Sequence, residues 1–265
     1  MLKKFIIVLL ILAVSVNVSC AADSNKNKSD SLFQAALLQS LMSGVYDGFI
    51  TVKEVKNYGD IGIGTFQSVN GELIMLDGKI YQALWDGSVK IADDSETVPF
   101  CNVTFFDSDI TRENIHAKNI TELKSKLDEI INSHGKNQFY MAKISGEFNS
   151  ILVRSELAQK KPYKPLDVAL KTDQREFTYK NISGVVVALY CPAYMNGLNN
   201  TGWHLHFISD DRTKGGHVLE LDINSCKVEL DIMSSFTMIL PDNSGFNDKD
   251  LAVEMTSRIK EVEGK

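Results

Sequence analysis

Three histidines lie close together in the second half of the chain, at positions where their side chains can meet. In a β-strand alternate side chains share one face, so a strand through Trp203-His204-Leu205-His206-Phe207 presents His204 and His206 on the same side. Residues 209–216 are rich in turn-forming types, and an alternating pattern follows. The spacing therefore predicts a β-hairpin in which His217 begins the return strand and faces the other two histidines.

Three neutral imidazoles that converge on one point form a good site for a transition metal. When the remaining coordination positions stay open to water or substrate, the arrangement is that of catalytic rather than structural zinc. The spacing specifies a metal better than it specifies a reaction. It leaves open a solvated polar hairpin face, a metal-binding module without turnover, and a cupin-like barrel that uses redox iron.

Composition and absent motifs exclude several other classes. The chain has 265 residues, 44% of them hydrophobic, which is enough for one large domain or two small ones. With 28 Lys+Arg against 34 Asp+Glu, there is no excess of positive charge for a nucleic acid. The sequence has neither a G-x-G-x-x-G nor a G-x-x-x-x-G-K-[ST] motif. Beyond Cys20, the cysteines at 101, 191 and 226 lack C-x-x-C spacing, so a single disulfide or buried thiols stay open.

The N-terminus has the order of an export signal. Lys3 and Lys4 precede an apolar run over residues 5–14, and small residues follow around Cys20. The run is shorter than the roughly 20 residues that a membrane-spanning helix needs. We predict that residues 1–22 direct export, so that the mature protein is secreted or lipid-anchored. Val18-Ser19-Cys20 resembles a bacterial lipobox, and lipidation of Cys20 and ordinary cleavage both stay open.

The remaining pattern predicts an α+β fold. Short β-type runs broken by glycine and aspartate dominate the chain, and they include residues 72–76. Helices are expected over about 30–42, from Asn119 to Gly135, and over 248–259; the second begins with a capping box, because Glu122 follows Asn119 by three residues. Scattered helices among many strands are typical of α+β architecture.

A proline-rich stretch marks the predicted boundary between two halves. Residues 160–165 contain two of the five prolines. We predict an N-terminal α+β half over residues 23–165 and a C-terminal half over residues 166–265, which carries the histidine site and the C-terminal tail.

Longer motifs make the chain similar to a known family. The hairpin segment that begins at Gly202 reads GWHLHFISDDR and is followed from Gly215 by GGHVL. In the N-terminal half, GTF begins at Gly64, GELIMLDG begins at Gly71 and VPF begins at Val98. Together, in this order, these motifs closely resemble those of bacterial α-acetolactate decarboxylase.

The resemblance implies a fold, a metal and an assembly. The fold would consist of two related α+β halves with mixed β-sheets, and the protein would form a homodimer. A zinc ion, Zn²⁺, would be held by His204, His206 and His217, the histidines that the spacing argument selects independently.

The resemblance also assigns roles to further residues. Glu72 matches an active-site carboxylate of the family, Arg154 its substrate-binding arginine, and Thr65 a residue that lines the pocket. A second glutamate is expected from the C-terminal tail, where Glu263 fits best and Glu261 leaves the register open.

The implied reaction converts 2-acetolactate (2-hydroxy-2-methyl-3-oxobutanoate) to acetoin and carbon dioxide. The ketone of this β-keto acid can accept the electrons that remain when carbon dioxide departs, so no organic electron sink is needed. The resemblance implies a metal-stabilised enediolate that one glutamate protonates stereospecifically. The alternative is an exported metal-binding or small-molecule-binding lipoprotein without turnover.

Overall fold

Two β-sheets form most of the chain in the computed structural model, which describes residues 30–253 and 255–263 except for the side chains of Lys260 and Glu263. The predicted export signal and Cys20 lie outside these residues. Within them, no helix is long and apolar enough to cross a membrane. The cysteines at 101, 191 and 226 are buried free thiols.

The larger sheet has seven strands and is mixed. The outer pair β14–β1 is parallel, whereas the other neighbours are antiparallel. In spatial order the strands are β14 (Ser235–Ile239), β1 (Ser31–Ala35), β8 (Phe100–Thr104), β3 (Ile61–Thr65), β4 (Glu72–Leu76), β5 (Lys79–Ala83) and β6 (Val89–Ile91).

The second sheet has five antiparallel strands, and four of them close into a ring of pairings. Strand β10 pairs with both β11 and β13 along most of its length, and β12 bridges β11 and β13. The strands are β9 (Ile110–Ala117), β10 (Phe139–Glu156), β11 (Gln174–Cys191), β12 (Gly202–Ser209) and β13 (Gly215–Met233). A separate short ladder joins β2 (Ile50–Thr51) to β7 (Thr97–Val98).

Six α-helices and two short 3-10 helices, Gln67–Val69 and Ala193–Met195, lie in the connections within the described residues. The α-helices are α1 (Leu38–Met42), α2 (Val52–Val55), α3 (Ile120–His134), α4 (Leu166–Asp173), α5 (Ser244–Asn247) and α6 (Thr256–Glu263). Sheets with scattered helices confirm the predicted α+β class. Each sheet takes strands from both sides of residue 165, since β9 and β10 lie in the second sheet and β14 in the larger one. The division into residues 23–165 and 166–265 stays a prediction.

Helix α3 begins and ends where the sequence predicts, but only the Asn119 half of the predicted capping box forms, since the Glu122 side chain accepts from the backbone N–H of Lys118. The Asn119 side chain accepts a hydrogen bond from the backbone N–H of Glu122 at 2.8 Å, and Gly135 ends the helix with a positive φ. One apolar face packs into the core of the second sheet. The Trp203 indole donates to Asp128 at 2.9 Å and thereby links the helix to strand β12.

The helix predicted over residues 30–42 is wrong in its first part. Residues 31–35 form strand β1, which lies between β8 and β14, and only Leu38–Met42 are helical. Leu32 packs into the core between the two sheets, while Phe33 packs into the core on the opposite face of the larger sheet. A strand buried on both faces carries a continuous apolar run, and over a short length this run cannot be distinguished from a helix. The last helix also begins later than predicted, at Thr256.

The facing sheets enclose a shared apolar core that sets the position of the site. Ile63 and Ile74 from the larger sheet and Val187 and Ile208 from the second sheet belong to this core. Strands β3 and β4 therefore lie against β11, β12 and β13. The end of β3 and the start of β4 come next to the histidine hairpin.

One carboxyl group is buried where the chain passes from one sheet to the other. Asp231 on β13 is fully buried, and its Oδ2 accepts a hydrogen bond from the backbone N–H of Asp107 at 3.4 Å. Burial and the negative charges of Asp109, Asp30 and Asp107 raise the pKa of Asp231 to about 8.

Replacing Asp231 with asparagine should stabilise the fold increasingly as the pH rises. Because the folded-state pKa of Asp231 lies above the value of about 4 in an unfolded chain, unfolding releases a proton between these pH values. The contribution of Asp231 to the free energy of unfolding therefore falls from about pH 4 to about pH 8. We expect Asp231→Asn to gain roughly 1–4 kcal/mol at pH 8 and little at pH 4 in urea titrations. A gain that is the same at both pH values would show that this carboxyl does not titrate as described.

Candidate metal centre and active site

The predicted hairpin brings the three histidines together. Strands β12 and β13 pair with His206 directly opposite His217, and His204 lies two residues before His206 on the same face. His204 Nε2 lies 3.1 Å from His206 Nε2 and 3.0 Å from His217 Nδ1. One ring nitrogen from each histidine falls within 4.8 Å of the others. The cross-strand register thus confirms the predicted juxtaposition.

Burial keeps these imidazoles neutral, which is the form that binds a metal. All three side chains are buried. Burial, with a smaller effect of the nearby Arg154 charge, lowers the pKa of His204 to about 3. Burial likewise holds the pKa values of His206 and His217 well below the ordinary range.

A hydrogen bond behind the cluster fixes the orientation of one imidazole. His206 Nδ1 lies 2.9 Å from the backbone carbonyl of Leu73 on β4. The Nδ1–H donates to this carbonyl, so Nε2 is left facing the other two histidines. Metal-binding histidines regularly hold their second nitrogen in this way. The donor set and its support both fit a transition-metal ion such as zinc.

Glu72 and Thr65 reach the same place from the larger sheet. They are directly paired across β3 and β4, so their side chains share a face. The Glu72 carboxylate is buried, and its Oε2 lies 3.4 Å from His206 Nε2. The Thr65 hydroxyl donates to the Gly71 carbonyl at 2.8 Å. The carboxylate therefore borders the metal cluster, while the threonine is fixed at the cavity wall.

Arg154 enters from strand β10 of the second sheet. It lies directly opposite His217 on β13, and its side chain is buried. Its Nε is 3.4 Å from Oε1 of Glu156, which is also buried. Glu156 was not among the site residues predicted from the sequence. Strand alternation could have predicted its position, because residue 156 is two positions from Arg154 in a strand and therefore lies on the same face.

These side chains line one small cavity, with a volume of about 30 Å³. Both polar side chains and an apolar wall line the cavity. The polar lining consists of His204, His206, His217, Glu72, Thr65, Arg154 and Glu156, and the apolar wall of Leu38, Leu41, Val69, Phe100 and Leu166, with Gly64 alongside. An apolar enclosure with a few convergent polar groups is the usual form of a small-molecule site.

The C-terminal helix lies beside the site. Its position does not show whether Glu261 or Glu263 is the second glutamate predicted for the site. Val262 of α6 packs in one apolar cluster with Leu166, and Arg258 forms an ion pair with Asp167 of α4. Glu261 is exposed and lines a second cavity, which Arg154 and His217 also border. The side chain of Glu263 lies outside the described residues, so its role stays a prediction.

Comparison with known proteins decides the family. The family model described as Alpha-acetolactate decarboxylase matches residues 32–253, which include the histidine hairpin and both strands that carry Glu72 and Arg154. The chain belongs to this family.

Acetolactate decarboxylases from distant organisms are similar over most of the chain. The alpha-acetolactate decarboxylase of Methanosarcina mazei is 39% identical over 235 residues, covering 89% of this chain and 81% of the relative. That of Bacillus subtilis is 37% identical over 221 residues, covering 83% and 85%. The crystal structure of alpha-acetolactate decarboxylase from Bacillus subtilis strain 168 superimposes with a TM-score of 0.85 at 33% identity, covering 89% of this chain and all of that one.

Membership in the acetolactate decarboxylase family confirms the prediction of an enzyme, a carboxy-lyase. It also confirms the resemblance that the hairpin and N-terminal motifs indicated. The roles of Glu72, Thr65, Arg154 and Glu263 stay predictions, and the structure shows that the first three lie around one cavity.

Removal of one cluster histidine should abolish tight metal binding. His204→Ala takes away a nitrogen that lies within 3.1 Å of both other imidazoles, so we expect at least about a 100-fold loss of Zn²⁺ affinity. Competition with a chelator measures the affinity, and Co²⁺ absorption reports the coordination. His134→Ala, at an exposed position in the last turn of α3, is the matched control. Unchanged metal affinity in His204→Ala would exclude the histidine cluster as the site.

Proposed function

We propose that this chain catalyses the zinc-dependent decarboxylation of 2-acetolactate to acetoin and carbon dioxide. The observation that carries the proposal is the convergence of three neutral histidines, a buried arginine and a buried carboxylate on one cavity, within a fold of the acetolactate decarboxylase family. The family and the carboxy-lyase class come from the comparisons. We propose in addition which metal is native, how the reaction proceeds and which residues bind the substrate.

The substrate needs charge stabilisation more than it needs a reactive side chain. The bond between C2 and the carboxylate carbon breaks, carbon dioxide leaves, and the electron pair passes to the neighbouring ketone. A proton added at C2 then gives acetoin. A metal ion held by His204, His206 and His217 would supply Lewis-acid stabilisation for the negative charge that develops on the substrate oxygens.

Arg154 is suited to hold the substrate carboxylate until it departs. Its Nε contacts Glu156, and the guanidinium makes no hydrogen bond to any other side chain or backbone group among the residues that the structure describes. Its terminal nitrogens are therefore available for a carboxylate, which a guanidinium binds with two parallel hydrogen bonds. Opposite His217, these nitrogens would hold the leaving group beside the metal cluster.

Glu72, in its protonated carboxyl form, is the described side chain best placed to deliver the proton. It is buried, it borders His206 at 3.4 Å, and strand pairing fixes its direction. A proton donor held on one side of the cavity adds the proton to one face of the planar carbon, so the product is chiral. We propose Glu263 of the C-terminal helix as a second carboxylate at the site, with Glu261 as the alternative register. Thr65 completes the pocket wall.

Location and assembly are proposed from the sequence. The charged, apolar and small-residue order of residues 1–22 supports export, either as a secreted protein or with a lipid anchor on Cys20. We propose that the protein forms a homodimer, on the basis of its resemblance to the family. No nucleic-acid partner is proposed, because the chain carries an excess of acidic residues.

The decisive assay is acetoin release from racemic 2-acetolactate, with and without chelation. We expect chiral acetoin, loss of activity on removal of the metal, and recovery when Zn²⁺ is returned, because three of the site's ligands are neutral imidazoles. Product chirality separates catalysis from spontaneous decarboxylation. If folded, zinc-loaded protein released no acetoin above the spontaneous background, the alternative of a binding protein without turnover would replace the proposal.

Arg154→Ala should separate substrate binding from metal binding. We expect kcat/KM to fall by about 10²–10³-fold, because the substrate carboxylate loses a charge-assisted bidentate partner, while the zinc content stays unchanged. Steady-state kinetics and metal analysis measure the two effects. Arg112→Ala, at an exposed position on β9, is the control. Loss of zinc together with activity would show that Arg154 supports the metal cluster and not the substrate.

A further inference from the structure

Glu156 is a second buried carboxylate in the active-site cavity, and the proposed reaction gives it no role. It is the last residue of β10, and only 5% of its surface is exposed. It lines the cavity together with the three histidines, Glu72 and Arg154. A carboxylate in so enclosed a place costs several kcal/mol of desolvation unless positive charge compensates it.

The strand geometry fixes where the Glu156 carboxylate lies. Arg154 and Glu156 share one face of β10, and Ser155 between them points the other way, where its hydroxyl donates to the Ala83 carbonyl at 2.7 Å. That bond ties the end of β10 to β5 of the larger sheet. The carboxylate is thereby held beside the guanidinium of Arg154.

The contact between the two groups is electrostatic and not a locked hydrogen bond. The Nε–Oε1 distance is 3.4 Å, and Nε of Arg154 lacks hydrogen-bond alignment with any partner among the described residues. The negative charge of Glu156 therefore offsets the charge of Arg154 without occupying the terminal nitrogens of the guanidinium. Charges at this separation interact strongly when both are shielded from water.

The influence of Glu156 reaches the adjoining wall of the cavity. Burial is the main reason that the pKa of Tyr46 lies above its usual range, and the negative charges of Asp167 and Glu156 raise it further. Tyr46 belongs to the same apolar cluster as the wall residues Leu38 and Leu166. The negative charge of Glu156 would likewise repel a negative charge that a ligand brings into this cavity.

We propose that Glu156 is a specificity-determining residue that restricts the cavity to ligands with a single carboxylate. The inference rests on the proposed role of Arg154 in binding the substrate carboxylate. One carboxylate is accepted by the terminal nitrogens of Arg154. A second carboxylate would be buried near Glu156 and repelled by it, because the positive charge of Arg154 is already offset. A nearby like charge in a site of low dielectric constant is an effective means of rejecting a wrong ligand.

Two ligands that differ by one charge test this proposal. The probes are 2-hydroxy-2-methylbutanoate, with one carboxylate, and 2-hydroxy-2-methylbutanedioate, in which a second carboxylate replaces the terminal methyl group. Calorimetry on the zinc-loaded protein gives a Kd for each. We expect the native protein to bind the first at least about tenfold more tightly. Glu156→Gln should reduce this ratio by about tenfold or more, while Glu156→Asp should preserve most of it because it retains the charge.

The controls separate this inference from the proposed function. Glu147→Gln lies on the same strand at an exposed position and should leave the ratio of Kd values unchanged. Equal binding of the two probes by the native protein would overturn the proposal without any variant. An unchanged ratio in folded Glu156→Gln would overturn it as well. If instead Arg154→Ala bound the monocarboxylate as tightly as the native protein, the proposed role of Arg154 would fail.

Discussion

The hydrogen bond between His206 Nδ1 and the carbonyl of Leu73 joins the two sheets at the functional site. One partner is a side chain of the second sheet and the other is backbone of the larger sheet, so the bond exists only when the sheets are packed together. It sets which nitrogen of His206 faces its neighbours, and the residue before Leu73 is Glu72, whose carboxylate borders the same imidazole. Because the bond is buried, its loss would leave polar groups unsatisfied and would be costly. Site geometry and packing of the fold thus depend on one contact.

The cavity combines ionisable groups in a way that limits the cost of burying them. The three histidines are held neutral, so they add no positive charge to the described lining. Arg154 and Glu156 lie side by side and offset each other. Removing either member of such a pair leaves an uncompensated buried charge, whereas the intact pair is close to neutral in its effect on stability. The charged groups can therefore be held in place before a ligand binds, and such preorganisation strengthens their electrostatic interactions with the ligand.

The parts of the structure that the sequence predicts are those governed by local alternation. His204 and His206 share a face because they are two residues apart, and the turn that follows them is short enough to fix His217 opposite. The same alternation predicts that Glu156 shares a face with Arg154, because the two residues are two positions apart on one strand. What local patterns cannot supply is pairing between distant segments. The strand at residues 31–35 pairs on both edges with strands far away in the chain and is buried on both faces, so its apolar residues carry no period that would distinguish it from a helix. Family motifs indicate Glu72 and Arg154, whereas only the packing of the sheets shows that both line one cavity.

The parallel pairing of β14 with β1 has a consequence for how the chain acquires its structure. These two strands lie roughly 200 residues apart in the sequence, and β14 supplies one edge of the larger sheet. That sheet can be assembled in part from residues 31–104, but its outer strand is added only after residues 235–239 have been synthesised. Contacts of such high contact order are slow to form, because the loop entropy is lost before the contact is gained. During synthesis the outer edge of β1 therefore remains open until β14 pairs with it and converts this aggregation-prone edge into an interior strand.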